Sequence, residues 1–238
     1  MPQGCAIFDV DRTLLDGMSG ALFFSFADKK KLIPLRNKLR AFAHLMAYRS
    51  GLAPETALVE IGASAYHGIV VEPLREAARQ CVAEVLRPRI YREAVATIAK
   101  HNDAGDLTIL ASGSNSIVIE ALAEHVGAQI AIGTSAVVRD GRCTREVRYP
   151  LCYKQGKRDL IETVIAPFDI PLSRCHLYSD NDVDLPLFTV VGHRHAVNPD
   201  PNLAETARAS EWEVLDWNTP TDPNYQVTGG SWPVKSRA

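Results

Sequence analysis

The sequence predicts an α/β protein: a parallel sheet covered by helices on both faces, with an all-helical insertion after its first strand. Three observations predict it. Short apolar runs at 5–8, 107–111, 175–178 and 195–197 alternate with helical patterns, as a sheet buried on both faces requires. The stretch from about Ser19 to Arg87 shows apolar spacings of three and four and no strand-like alternation. A chain of 238 residues, 46% hydrophobic and 23% charged, can bury one large core and carry a smaller insertion.

In chain order, Cys5 to Phe8 reads as a short buried strand that runs into an acidic turn. Leu35, Leu39, Phe42 and Met46 recur on one helical face, with Pro34 placed at its start. Ala53-Pro54-Glu55-Thr56 opens a second helix, and 72–86 forms a third that stops before Pro88. Together they read as a small helical bundle. Residues 91–101 are helical, Gly105 breaks them, and Leu107–Ala111 is a buried strand. Ser112-Gly113-Ser114-Asn115 then turns into the helix 117–125. Residues 130–138 followed by Asp140-Gly141 read as one hairpin. Helices at 155–165 and 203–209 separate strands at 175–178, 195–197 and 212–215. From Asn218 the chain is rich in Pro, Gly, Asn and Thr and reads as a loosely held extension.

Composition excludes several classes. A net charge of −2 argues against a dedicated nucleic-acid binder. No apolar run reaches the ~20 residues of a membrane span. Met-Pro-Gln-Gly does not begin a signal peptide. Five scattered cysteines without CxxC spacing predict neither disulfides nor zinc. A cytoplasmic protein is expected. Six basic residues between Lys29 and Arg40, beginning Lys29-Lys30-Lys31, read as a solvated helix face. The alternative is a patch for an anionic membrane surface, suggested by the apolar Leu22-Phe23-Phe24 before it. His193 and His195 share a strand face, but without a third ligand nearby they read as packing or surface histidines.

The chemistry concentrates where predicted strands end. Asp9 and Asp11, two apart in extended chain, leave the first strand on one side. Like charges that close need a cation or a proton. Ser112-Gly113, before a helix, offers a hydroxyl and N–H groups to anionic oxygens. Asp180-Asn181-Asp182-Val183-Asp184 suits a hard divalent cation. Gly156-Lys157 opens a helix and adds one positive charge. Each reads singly as a turn, a cap or a surface lysine; in this order they suggest one phosphoryl-transfer site.

In that order they also resemble the haloacid dehalogenase-like phosphatase superfamily. Its four motifs are matched by Asp9-Val10-Asp11-Arg12-Thr13, by Ser112, by Lys157 and by Asp180 with Asp184. The chain is similar above all to the phosphoserine-phosphatase-like branch, subfamily IB. Tyr178-Ser179-Asp180 through Leu185-Pro186-Leu187, and Ala196-Val197-Asn198-Pro199-Asp200-Pro201, follow that branch's wording. The resemblance implies a Rossmann-like core at 1–15 and 89–216, a type C1 cap at 16–88 and a tail at 217–238. It implies Asp9 as nucleophile, forming an aspartyl-phosphate, and Asp11 as general acid and base. Mg2+ would be held by Asp9, the main-chain carbonyl of Asp11, and Asp180. Lys157, Ser112 and the N–H groups near Gly113 and Ser114 would bind the phosphate. Asp184 would hold Lys157 or a metal-bound water, and Thr13 would position the nucleophile loop.

The substrate expected is a small phosphomonoester. Phosphoserine phosphatases place an acidic residue at the position of Met18, and methionine cannot pair with ammonium. Asp16 is a partial substitute. Ser179 and Val183 also depart from the branch, so phosphoserine is disfavoured, and histidinol phosphate or another metabolite is equally open. Rival readings are a lipid-phosphate phosphatase, such as one for phosphatidylglycerophosphate, a phosphotransferase, and a non-catalytic binding protein. No partner beyond the substrate, and no oligomeric state, follows from the sequence.

Overall fold

A computed structural model describes residues 2–54 and 57–221. Six parallel strands form the main sheet in the order β3-β2-β1-β6-β7-β8: β1 (Cys5–Phe8), β2 (Leu107–Asn115), β3 (Ile130–Thr134), β6 (Cys175–Ser179), β7 (His193–Val197) and β8 (Glu213–Leu215). Every residue of β1 is buried. Its alternation divides the core: Ala6 and Phe8 face one apolar cluster, Cys5 and Ile7 the other.

Between β1 and β2 lie α1 (Ser19–Lys29), α2 (Leu35–Arg49), α3 (Ala57–Ser64), α4 (Val71–Cys81) and α5 (Arg92–Asp103). The helix expected over 72–86 is in two parts: after α4, residues 82–86 wind more widely, with π geometry. Phe23 of α1 and Leu74, Ala78 and Cys81 of α4 lie in the same cluster as Phe8 and as Val118 and Leu122 of α6 (Ser116–Val126). Helix α2 behaves differently. Its only buried residue is Asn37, whose amide donates to the carbonyls of Ala65 and His67 at 3.0 and 2.8 Å. The Leu35, Leu39, Phe42 seam is helical as its spacing predicts, yet it is exposed rather than packed in a bundle. The predicted start of α3 at Glu55-Thr56 lies outside the described residues.

Three further expectations change. The Ser112–Asn115 stretch is not a turn but the end of β2, and only Asn115 caps α6, accepting from the Ile117 N–H at 2.9 Å. Residues 130–138 are not one arm of a hairpin. β3 joins the main sheet, and β4 (Ala136–Arg139) pairs with β5 (Arg142–Val147) separately. The hairpin is tied to the chain entering α4, because the Gly68 N–H donates to the Cys143 carbonyl at 2.7 Å and the Cys143 N–H to that of Ile69 at 3.0 Å. Lastly, the chain after β8 is anchored as far as it is described. Trp217 is buried, the Arg92 N–H donates to the Thr219 carbonyl, and the Thr221 N–H donates to that of Ile90. Residues 222–238 of the expected tail lie outside the described residues.

On the other face, α7 (Gln155–Ile165), the short α8 (Leu185–Phe188) and α9 (Pro201–Ala209) cover Ile7 and Cys5 through Ile161, Phe188 and Leu203. The five cysteines are buried and free. His195 meets His176 at 3.0 Å, with His193 stacked on His176. No helix of the described residues is long and apolar enough to cross a membrane.

Candidate active site

Register places the site. Phe8 pairs with Leu110 on one side and Tyr178 on the other, so Asp9 lies one residue beyond that row, and Ser112 and Asp180 two beyond. All three therefore emerge at the carboxyl end of the sheet, where adjacent strand ends open a crevice. The Asp9 N–H donates to the Tyr178 carbonyl at 2.9 Å, which extends the pairing with β6 to Asp9. The chain then turns sharply at Arg12, at φ +65°, and closes with the Leu14 N–H on the Val10 carbonyl at 2.9 Å.

Two hydrogen-bonded groups form the floor. In the first, the buried Lys157 amine lies 2.7 Å from Asp9 Oδ1 and 2.6 Å from Asp184 Oδ2, and the Ser179 hydroxyl donates to the same Asp184 oxygen at 2.7 Å. Asp184 therefore holds Lys157, the first of the two tasks expected of it. In the second, Asp11 accepts from the Ser19 N–H at 2.6 Å and from the Ser114 hydroxyl at 2.9 Å. A link between them and Asp180 comes from the turn: Thr13 donates to Asp180 Oδ1 at 3.2 Å, and Arg12 Nε stands 3.3 Å from Oδ2. Thr13 thus fastens the turn after Asp9 to Asp180. The Asp180 carbonyl in turn accepts from the Asp200 N–H at 2.8 Å.

The Ser114 N–H, expected to face phosphate, donates here to the Ser112 hydroxyl at 3.1 Å. The pairing of β2 with β3 shifts register between Ala111 and Asn115, the irregular stretch in which this bond forms. The Ser114 hydroxyl has a different task, on Asp11. Neither that contact nor those of Arg12 and Ser19 was assigned from sequence. Arg12 stood inside the quoted motif without a role; the Asp11–Ser114 pair spans 103 residues, beyond any local pattern.

Electrostatics follow from crowding. Burial raises Asp9 to about 8, with Asp184, Asp180 and Asp11 adding to the rise and Lys157 opposing it. Burial likewise raises Asp180 to about 6, against the pull of Arg12 and Thr13. Burial alone would lower Lys157, but Asp184 and Asp9 outweigh it and hold the amine charged. One lysine divided between two carboxylates leaves an excess of negative charge. Among the described residues, no three His, Cys, Asp or Glu side chains are grouped to hold a metal. The expected magnesium set asks for only two carboxylates and a carbonyl. Such hard oxygen donors, crowded and short of positive charge, fit a divalent cation.

Above the floor lies a chamber of about 710 Å³. Asp9, Asp11, Asp180 and Ser112 to Ser114 line one end, and Met18, Phe24, Phe42, Leu45, Tyr48 and Tyr66 line the walls. Lys38, also at the wall, is paired with Asp28 at 2.8 Å. Lys29, Lys30 and Lys31 are exposed and stand outside the lining.

A family model for haloacid dehalogenase-like hydrolases matches residues 6–189. This chain is a haloacid dehalogenase-like hydrolase. It is 32% identical to the "Inhibition of morphological differentiation protein" of Streptomyces azureus, across 99% of this chain and 86% of that one. It is 28% identical to a histidinol-phosphatase of Neisseria meningitidis serogroup C, across 90% of this chain and 99% of the relative. A crystal structure of a Bordetella pertussis protein of unknown function shares the fold of this hydrolase. The TM-score is 0.80 at 28% identity, covering 91% and 99% of the two chains.

Proposed function

We propose that this phosphatase hydrolyses a phosphomonoester of metabolite size through an aspartyl-phosphate on Asp9. The observation that carries the reading is convergence. Asp9, Asp11, Ser112 and Asp180 line one chamber, and Lys157 contacts Asp9 from behind.

Asp9 attacks phosphorus and forms the acyl phosphate as the ester oxygen leaves. Asp11, oriented by Ser19 and Ser114, protonates that oxygen, then takes a proton from the water that attacks the intermediate and frees phosphate. Lys157 opposes the rise that burial imposes on Asp9 and, with the Ser112 hydroxyl and the Gly113 backbone, offsets charge on the transferring oxygens. Asp9, Asp180 and the Asp11 carbonyl would hold Mg2+, which when bound offsets the repulsion between the Asp9 carboxylate and a phosphate dianion. Residues 16–88 serve as the cap that shields the intermediate from stray water.

The leaving group lacks an ammonium ion to be recognised. The only acids in the described lining are Asp9, Asp11 and Asp180 at the floor, and Met18 occupies the wall. That weighs against phosphoserine. The histidinol-phosphatase relative supports the phosphatase reading rather than a choice of leaving group. The buried free cysteines suit a reducing cytoplasm.

The test is Asp9→Asn assayed against a panel of phosphorylated metabolites with and without Mg2+. The reading expects Mg2+-dependent phosphate release from the wild type and a loss of at least ~10³-fold in the variant. Release at the wild-type rate by Asp9→Asn would overturn it.

A further inference from the structure

Helix α2 is built inside out. Amphipathic helices bury their apolar stripe, whereas α2 buries Asn37 and leaves Leu35, Leu39 and Phe42 about two-thirds exposed, at 66%, 62% and 61%. Leu52, just beyond it, is 84% exposed. Exposed apolar side chains grouped on one element mark a contact surface. The charge around them is one-sided. Residues 29–54 carry seven lysines and arginines and no acid, in a chain whose net charge is −2. Among the described residues only Lys38 of these seven has an acidic partner.

The stripe is also continuous with the site. Phe42 and Leu45 are at once exposed and part of the chamber wall. Leu22-Phe23-Phe24 do not contribute to the outer surface: Phe23 is fully buried, and Leu22 and Phe24 pack against the same core.

We infer that residues 29–54 seat the enzyme on an anionic bilayer, and that the chamber takes from that surface a phosphomonoester whose alcohol carries a hydrocarbon chain. Leucine and phenylalanine flanked by lysine and arginine is the composition of helices that lie in the membrane interface. The cytoplasmic leaflet supplies the complementary negative charge. A second copy of the chain would oppose like charges across the stripe, which disfavours that occupant. The apolar wall reaching from Phe42 to Phe24 and Tyr66 accepts a hydrocarbon leaving group and offers no acid to an ammonium ion. The substrate half of the inference rests on the phosphatase reading; the docking half does not.

Sedimentation of the full chain with vesicles tests docking. Vesicles of phosphatidylcholine alone are compared with vesicles containing about one-third phosphatidylglycerol, at about 0.1 and 0.5 M salt. The wild type should bind the anionic vesicles, release at high salt, and ignore the neutral ones. Lys29→Gln/Lys30→Gln/Lys31→Gln should bind roughly tenfold more weakly or worse, and Leu35→Ser/Leu39→Ser should also lose binding. Both variants should keep wild-type activity on p-nitrophenyl phosphate, which shows they are folded. Equal binding to both vesicle types overturns docking, as does wild-type binding by the lysine variant. So does a leucine variant that changes only the oligomeric mass.

Asp9→Asn should bind vesicles like the wild type. Docking can therefore fail or hold whatever becomes of the catalytic reading. For the substrate, dodecyl phosphate in anionic vesicles should exceed glycerol phosphate in kcat/KM by at least ~10-fold. A preference for glycerol phosphate overturns that half.

Discussion

The Lys157 amine lies 2.7 Å from the Asp9 carboxylate and is shared, at 2.6 Å, with Asp184. All three side chains are largely or wholly removed from water, so the lysine is the counter-charge that opposes the protonation burial favours at Asp9. Lys157→Ala leaves two carboxylates without it. We expect a loss of about 3–5 kcal/mol in stability and at least ~10²-fold in kcat. Urea unfolding and steady-state kinetics measure the two. A variant with unchanged midpoint and rate would show that the ion pair is dispensable.

Ser114 reaches Asp11 with its hydroxyl at 2.9 Å. Its removal in Ser114→Ala frees Asp11, the proposed general acid, to rotate without touching the phosphate. The expected signature is a kcat lowered roughly tenfold with KM little changed, and Ser114→Thr should recover much of the loss. An effect confined to KM would place Ser114 on the substrate instead.

Burial raises Asp9 to about 8 and Asp180 to about 6, both above the unfolded value of about 4. A carboxyl raised in the folded state binds its proton more tightly when folded, so its contribution is complete at low pH and is lost as pH rises through the folded value. Metal-free protein should therefore lose stability from about pH 4 upward, Asp180's share ending near pH 6 and Asp9's near pH 8. Mg2+ binds the ionised form and should raise Tm more at pH 8 than at pH 5. Calorimetry in chelator and in Mg2+ reads this directly. A metal effect independent of pH would contradict it.

Gly156 holds Lys157 in place by what it lacks. A Cβ there would stand 2.3 Å from the Leu151 carbonyl oxygen, so Gly156→Ala must displace the start of α7. The expected cost is about 1–3 kcal/mol, accompanied by a fall in kcat as Lys157 shifts. Loss of stability with full activity would mean that the displacement is absorbed away from Lys157.

The sheet was legible because each parallel strand is a short apolar run buried on both faces, and the acids of Asp9, Asp11 and Asp180 stand where those runs stop. What local pattern could not carry was tertiary. The spacing of Leu35, Leu39 and Phe42 predicts a helix but not which face is wet, and α2 is held by Asn37 to the carbonyls beyond α3 rather than by its leucines. The hairpin turns at Asp140-Gly141 as expected, but its first arm was drawn too long, because β3 and β4 are separated by one residue yet belong to different sheets. The Pro- and Asn-rich start of the tail reads as loose, but Trp217 and the main-chain bonds of Thr219 and Thr221 fasten it.

The account turns on a covalent bond to Asp9. Wild-type enzyme turning over a 32P-labelled phosphomonoester is quenched in acid and its peptides are mapped. The account predicts hydroxylamine-labile label on the peptide bearing Asp9, and none in Asp9→Asn. Rapid turnover with no label on that peptide, or the same label retained in Asp9→Asn, would contradict it.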